Sequence, residues 1–400
     1  MDVVLGVGLI MLIGFWGGRI AAFLKLPSLT GYIIFGLLLG PYVAGLIPLD
    51  LIETIKDPLS VGAVSIIAFM LGGDLTINAL KKLGANLLKV ASIDTLWTYL
   101  LVFLGLYFLA GQPAYIALPL AALATSPAPT VIVPVVKELK ARGRFTDSLL
   151  MVSALEDVTC VILISISIAI SRPLIAGGDP SALTVLVSLG EIIGSIMLGA
   201  ALGFIIVYLF RLVASGQPRL LFVLTMILVG SGITTLINFS SLITILTMGF
   251  VVLNYASDTK KLFESVEEVS GPVLLLFFTV AGATLQPGLI PVAGIAVIVY
   301  IVVRTFSKLT GVYASTKVLG MEQSVCQNMP YCLLSQAGTT IGLTMLVAQQ
   351  LPQVSDQILT VMLSAVIFFE IIAPPLTRNA LVRLGEAGEQ TGNDSAVKKV

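Results

Sequence analysis

The chain has 400 residues, 22 acidic and 22 basic side chains, and no histidine. Hydrophobic residues make up 57%, charged residues only 11% and mean hydropathy is +1.05, whereas soluble domains carry about 25% charged residues. This excludes an ordinary soluble domain and points to an all-α polytopic membrane protein, and the missing histidine excludes His-ligated metals, haem and imidazole proton relays. Cys160, Cys326 and Cys332 are too few and too apolar in setting for a disulfide framework or a metal cluster, and read as packing residues. No cofactor and no nucleic-acid partner is expected; the lipid bilayer is.

A transmembrane helix needs about 20 mostly apolar residues. That ruler predicts thirteen, near 2–24, 29–47, 58–75, 85–110, 113–136, 145–171, 182–212, 218–236, 240–256, 265–286, 289–317, 328–350 and 356–382. Residues 2–24 lack the basic start and small-residue cleavage site of a signal peptide and read as the first span. Lys and Arg concentrate in cytoplasmic loops. One side collects Arg19, Lys25, Lys81, Lys82, Lys137, Lys140, Arg142, Arg144, Arg211, Arg219, Lys260, Lys261, Lys317, Arg378, Arg383, Lys398 and Lys399; the other holds Lys56 and Arg172. The N-terminus is therefore expected outside and the C-terminus in the cytoplasm, in the cell's inner membrane. The tail, 384–400, is rich in Gly, Glu and Lys and is expected to be disordered, with no room for a soluble nucleotide-binding domain.

Two spans are interrupted. The fifth contains Ala124-Thr-Ser-Pro-Ala-Pro-Thr130, where Pro127 and Pro129 remove amide donors and should open the helix near Thr125 and Ser126. The twelfth contains Ser335-Gln-Ala-Gly-Thr-Thr340. Broken helices survive at membrane depth only where the freed backbone meets protein or lines a cavity. If the seventh span links spans 1–6 to spans 8–13, the two breaks hold corresponding places in inverted halves, and Phe69-Met-Leu-Gly-Gly73 echoes Phe278-Thr-Val-Ala-Gly282. Inverted repeats with matching interrupted crossing helices point to a secondary transporter's binding site. Gly36 and Gly40 have the Gly-x-x-x-Gly spacing that permits close helix contact, a pattern of low specificity in so glycine-rich a chain.

Intramembrane carboxyls are functional by default. Glu156 and Asp157 adjoin in the sixth span; Asp157 lies thirteen residues past Arg144, roughly 20 Å at about 1.5 Å per residue. Neighbours on a helix diverge by about 100 degrees, so the two acids should have different partners: Asp157 the cavity, Glu156 a basic residue. Ser153 precedes Asp157 by one turn and shares its face. Asp94 in the fourth span needs a partner. Glu191 and Glu370 also need partners and read as structural, and Asp74 as solvated at the inner surface.

These residues resemble a known family, the monovalent cation/proton antiporters, especially the branch of bacterial sodium/proton antiporters and potassium-efflux transporters. Leu26-Pro-Ser-Leu-Thr-Gly-Tyr-Ile-Ile-Phe-Gly-Leu-Leu-Leu-Gly-Pro41 is similar to its early signature, Ala124-Thr-Ser-Pro127 to its unwound helix, Ala154-Leu-Glu-Asp157 to its paired acidic or Asn-Asp motif, and Lys308-Leu-Thr-Gly311 to its Lys-x-x-Gly. The resemblance implies the sodium/proton antiporter fold and alternating access in a homodimer. It divides the chain into a dimerisation domain (1–84 and 215–287), a core transport domain (85–180 and 288–383), a linker helix (181–214) and the tail. It also implies that the fourth span lies beside the eleventh, which makes Arg304 in the eleventh a candidate partner for Asp94. Asp157 matches the carboxylate that binds a monovalent cation or a proton, Thr125 and Ser126 match the stretch beside the ion, and Glu156 matches the acid that pairs with the lysine matched by Lys308. Glu stands where the family usually has Asp or Asn, which leaves Arg304 as a second candidate partner and the charge stoichiometry open.

The function expected is exchange of Na+, with Li+ a close second, for protons, in the service of pH homeostasis. A potassium/proton antiporter of the same fold is the alternative; a cation channel or an organic-anion symporter are alternatives of another class. The symporter needs a midplane basic residue left over after the acids are paired, and none is evident. An aspartic protease would need acids on facing helices, and no nucleophile-base motif suggests an enzyme.

Overall fold

Long apolar runs make helices here, and several of the helices end beside proline or glycine, at Gly40-Pro41, Pro127, Gly177, Pro352 and Gly385. In the computed structural model, which describes residues 2–23, 28–73, 76–77, 85–178, 182–213, 216–237, 239–257, 259–285 and 290–388, fifteen α-helices follow one another: α1 (Val3–Phe23), α2 (Ser28–Leu39), α3 (Leu49–Gly73), α4 (Ala85–Leu104), α5 (Ala114–Thr125), α6 (Pro129–Glu138), α7 (Arg144–Ile175), α8 (Ala182–Leu209), α9 (Gln217–Leu236), α10 (Ser241–Tyr255), α11 (Thr259–Ala283), α12 (Ile290–Val318), α13 (Gln323–Cys332), α14 (Gly338–Gln350) and α15 (Ser355–Arg383). Among the described residues, nine stretches are long and apolar enough to cross a membrane and three further helices, α2, α5 and α10, are shorter and apolar. Lys25, Asp74, Lys81, Lys82, Lys398, Lys399, the Leu26-Pro27 start of the first motif and residues 389–400 lie outside the described residues.

Helix order follows the predicted segments, with the fifth and twelfth each divided in two. Several boundaries differ, three of them for a clear physical reason. α2 stops at Leu39 instead of 47 because Pro41 disfavours helix at the residue before it and supplies no amide. α3 starts at Leu49 and α11 at Thr259, several residues early, because a hydropathy ruler counts apolar residues while the helix runs on through polar ones. Asp50 favours the start of α3, and Lys260 and Glu264 pair one turn apart on α11.

Two groups of helices pack around separate contacts. α1, α2 and α11 pack together, α3 lies along α10 and α11, and α9 rests on α3 and α10; α4 lies along α12, α5 along α7, and α13, α14 and α6 against α15. α8 touches α7 of one group and α10 of the other, and α14 touches α3. The first group is joined through glycine. A side chain at Gly36 would run into the Thr279 carbonyl and one at Gly282 into the Ile33 carbonyl, while a Cβ at Gly40 would lie 2.9 Å from Ala283 Cα. Gly36 and Gly40 thus serve the close α2–α11 contact that their spacing permits.

The first five residues of the tail, 384–388, depart from expectation. They are ordered, and the Glu386 carboxylate accepts hydrogen bonds from Phe145 N (2.9 Å), Thr146 N (2.8 Å) and Thr146 Oγ1 (2.6 Å) at the start of α7. An anion at a helix N-terminus satisfies amides that have no intrahelical acceptor and meets the positive end of the helix dipole. Composition alone did not reveal that the glutamate had this partner.

Candidate functional site

The first break falls at 126–128 and the second at 333–337, each between two short helices. They lie against each other: Ala128 N donates to Ser335 Oγ at 3.2 Å. Arg304 of α12 binds both. Its Nε donates to Ala124 O (2.9 Å), Nη1 to Leu334 O (2.8 Å), and Nη2 to Ser126 O (3.1 Å) and Ser335 O (3.3 Å). Ala124 is in the last turn of α5, and Ser126, Leu334 and Ser335 lie in the breaks just past the C-terminal ends of α5 and α13, where the dipoles are negative and the carbonyls lack intrahelical amide partners. A guanidinium, with five donors in a fixed plane, satisfies carbonyls that unwinding leaves bare. Its carbon lies 4.4 Å from the Phe369 ring centroid, within cation–π range.

Asp157 stands beside the first break. Ser126 Oγ lies 2.5 Å from Asp157 Oδ1, and both residues are buried. The proline-opened backbone places Ser126 outside α5, in extended conformation at φ −68° and ψ 123°, which frees its side chain for α7. The other sequence candidates divide. Thr125 is buried but its hydroxyl donates to Ala122 O at 2.7 Å, within its own helix. Ser153 Oγ is buried with no hydrogen-bond partner among the described residues.

Glu156 points elsewhere, as the 100-degree offset requires. Lys308 Nζ lies 2.8 Å from Glu156 Oε2 and 2.7 Å from Asp94 Oδ2, and all three side chains are fully buried. The choice between Lys308 and Arg304 is therefore settled for Lys308. The expectation for Asp94 needs correction: it pairs with Lys308, because Arg304 is spent on backbone carbonyls. Arg304 is also the buried base left over after the acids are paired, which the sequence did not disclose.

Gly311 is part of this arrangement. It follows Lys308 by one turn of α12, and a Cβ there would lie 2.5 Å from Asp94 Oδ1 and 2.8 Å from Trp97 Cδ1. The Lys-x-x-Gly spacing thus places a cation and, one turn later, the space for its acid. Gly311→Ala is expected to push Asp94 away from Lys308 and cost about 1–3 kcal/mol, the usual range for overpacking a tight interior; thermal unfolding in detergent measures it.

Sequence reasoning missed Tyr300 and Gln336. Gln336 Nε2 donates to Leu123 O (3.1 Å) and Tyr300 Oη (2.9 Å), tying the second break to the end of α5 and to α12. Tyr300, Arg304 and Lys308 are all fully buried, and their i, i+4, i+8 spacing was a legible stripe. Among the remaining acids, Glu370 accepts a hydrogen bond from Thr30 of α2. Glu191 and Arg172 line a cavity of about 390 Å³ between α7, α8, α10 and α14, together with Ser165, Ser240 and Gln350. Cys160, Cys326 and Cys332 are buried free thiols.

Paired helix breaks clasped on one arginine, beside a buried carboxylate and an internally neutralised lysine, define an inverted-repeat secondary ion transporter. The chain belongs to the sodium/hydrogen exchanger family: the model of the family described as sodium/hydrogen exchanger, transmembrane, matches residues 8–383. Similar solved structures include the sodium proton antiporter MjNhaP1 from Methanocaldococcus jannaschii at pH 8, with a TM-score of 0.79 and 17% identity over 97% of this chain and 100% of that one. An electron-microscopy structure of the same antiporter aligns with a TM-score of 0.69 and 16% identity over 96% of each chain. No curated protein matches in sequence. The protein is a multi-pass membrane cation/proton antiporter, not an enzyme, with monovalent cations and protons as substrates.

Proposed function

We propose that this antiporter exchanges Na+, with Li+ as a close substitute, for protons by alternating access, and that Asp157 holds either the cation or the proton. The observation that carries this reading is the Ser126–Asp157 pair at the helix break, with Glu156 turned away and neutralised by Lys308. One carboxylate that cannot hold both ions at once is enough to couple their movements. Ser126 and Ser153 supply hydroxyl oxygens, Thr125 lies beside them, and Arg304 holds the opened backbone in shape. α4–α7 and α12–α15 form the moving core, α1–α3 and α9–α11 the dimerisation scaffold, and α8 the link. The N-terminus lies outside the inner membrane and the C-terminus in the cytoplasm.

Proteoliposomes containing a pH-sensitive dye test the reading. Na+ and Li+ gradients are expected to move protons in the opposite direction, and K+ to have little effect; a response to K+ alone would assign potassium/proton exchange instead. An imposed membrane potential that speeds or slows exchange identifies unequal charge movement. Absence of coupled proton movement with all three cations would overturn the proposal.

A further inference from the structure

The first turn of α2 is seated against the core at the level of the second helix break. Leu29 lies on the start of α14, where a Cβ at Gly338 would be 2.5 Å from Leu29 Cδ1. The next residue, Thr30, donates its hydroxyl to Glu370 Oε2 in the middle of α15, and both side chains are buried. This contact joins the proposed scaffold to the proposed moving core.

Among the described residues, no cation answers the Glu370 carboxyl. Oε1 has no hydrogen-bond partner among the described residues, and Glu370 forms no ion pair there. α2, α5, α13 and α14 carry no Asp, Glu, Lys or Arg; their titratable groups are Tyr32, Tyr115, Tyr331, Cys326 and Cys332, which are ordinarily neutral near pH 7. On α6, Lys137 and Glu138 are at the far end, and Glu138 pairs with Arg378 of α15. On α12, Arg304 is committed to carbonyls, Lys308 to Asp94 and Glu156, and Lys317 is in the last turn. An ionised carboxylate with one hydroxyl partner and no cation among the described residues is costly at membrane depth; the protonated acid avoids most of that cost.

We propose that Glu370 is a second proton-linked residue of the transport cycle, protonated while α2 rests on α15 and releasing its proton to water when that contact opens. Glu370 acts as a positioning residue: the hydroxyl it binds is that of Thr30, and it sets the equilibrium between closed and open arrangements. The proposal rests on the alternating-access reading above. Each proton released on opening makes the open state more favourable as pH rises, by up to about tenfold per pH unit.

The test places Leu29→Cys in the full chain in lipid nanodiscs and follows its labelling by a water-soluble maleimide from pH 6 to pH 9, with the parent chain correcting for Cys160, Cys326 and Cys332. The same measurement is made with Glu370→Gln, which keeps an acceptor for Thr30 but cannot ionise, and with Thr30→Val, which removes the donor. Ratios between proteins cancel the thiol's own ionisation. The labelling ratio of Leu29→Cys to its Glu370→Gln partner is expected to climb several-fold with pH, and Thr30→Val to move the climb to lower pH. A ratio that stays flat with pH while sodium still alters labelling overturns the role of Glu370 and leaves alternating access standing. Labelling that responds to neither sodium nor pH, beyond the behaviour of free cysteine, overturns alternating access at this contact and the Glu370 proposal with it.

Discussion

Asp157→Asn is expected to reduce cation/proton exchange in proteoliposomes to the level of empty vesicles while leaving the fold intact. Asparagine matches aspartate in size and still offers Ser126 Oγ an acceptor oxygen where Asp157 Oδ1 now lies at 2.5 Å. What disappears is the charge that attracts a cation and the group that takes a proton in its place. Removing one partner of a buried charge interaction costs about 2–5 kcal/mol, or about 30- to 5,000-fold in binding, and the route by which one ion displaces the other is lost as well. Asp157→Glu keeps the charge but moves it by one methylene, so partial exchange with an altered cation KM is expected. Exchange at the normal rate by the Asn variant would remove Asp157 from the mechanism.

Lys308→Ala should be the most damaging change to stability. Its ammonium sits between Asp94 and Glu156 at 2.7 and 2.8 Å, with all three side chains inaccessible to water. Breaking a buried pair by removing one partner costs about 3–5 kcal/mol because the remaining charge is left uncompensated, and here two acids are left. A large fall in thermal stability in detergent is the expected result. The triple variant Lys308→Ala, Asp94→Asn and Glu156→Gln should recover much of that loss, since the stranded charges are removed with their partner. A single Lys308→Ala protein as stable as the parent would show that the acids find other compensation.

The helix plan was legible because hydropathy and proline act locally. The two interruptions fall where Pro127 and Pro129, and the polar Ser335-Gln336 pair, sit inside apolar runs; the Gly40-Pro41 stop was present in the sequence but overridden by a ruler that counted only apolar residues. The separation of Glu156 from Asp157 followed from helical geometry alone. The stripe Tyr300, Arg304, Lys308 was equally visible in spacing, but spacing could not say that the middle member turns to backbone carbonyls while the last turns to two acids. Arg304 and Lys308 are both bases on one helix face, and which partner each takes depends on what the neighbouring helices bring within reach.

By itself the sequence determined the membrane class, the order of helices, the places where two of them break, and the presence of two adjacent carboxyls inside an apolar span, because each depends on residues close together along the chain. Only the tertiary structure decided that Arg304 clasps both breaks, that Asp94 joins Glu156 on Lys308, that Glu386 caps α7, and that Thr30 meets Glu370. Each of these joins residues far apart in the chain. A buried charge or an unwound carbonyl requires some partner, but the requirement is one of chemistry and does not identify which helix supplies it; packing makes that choice.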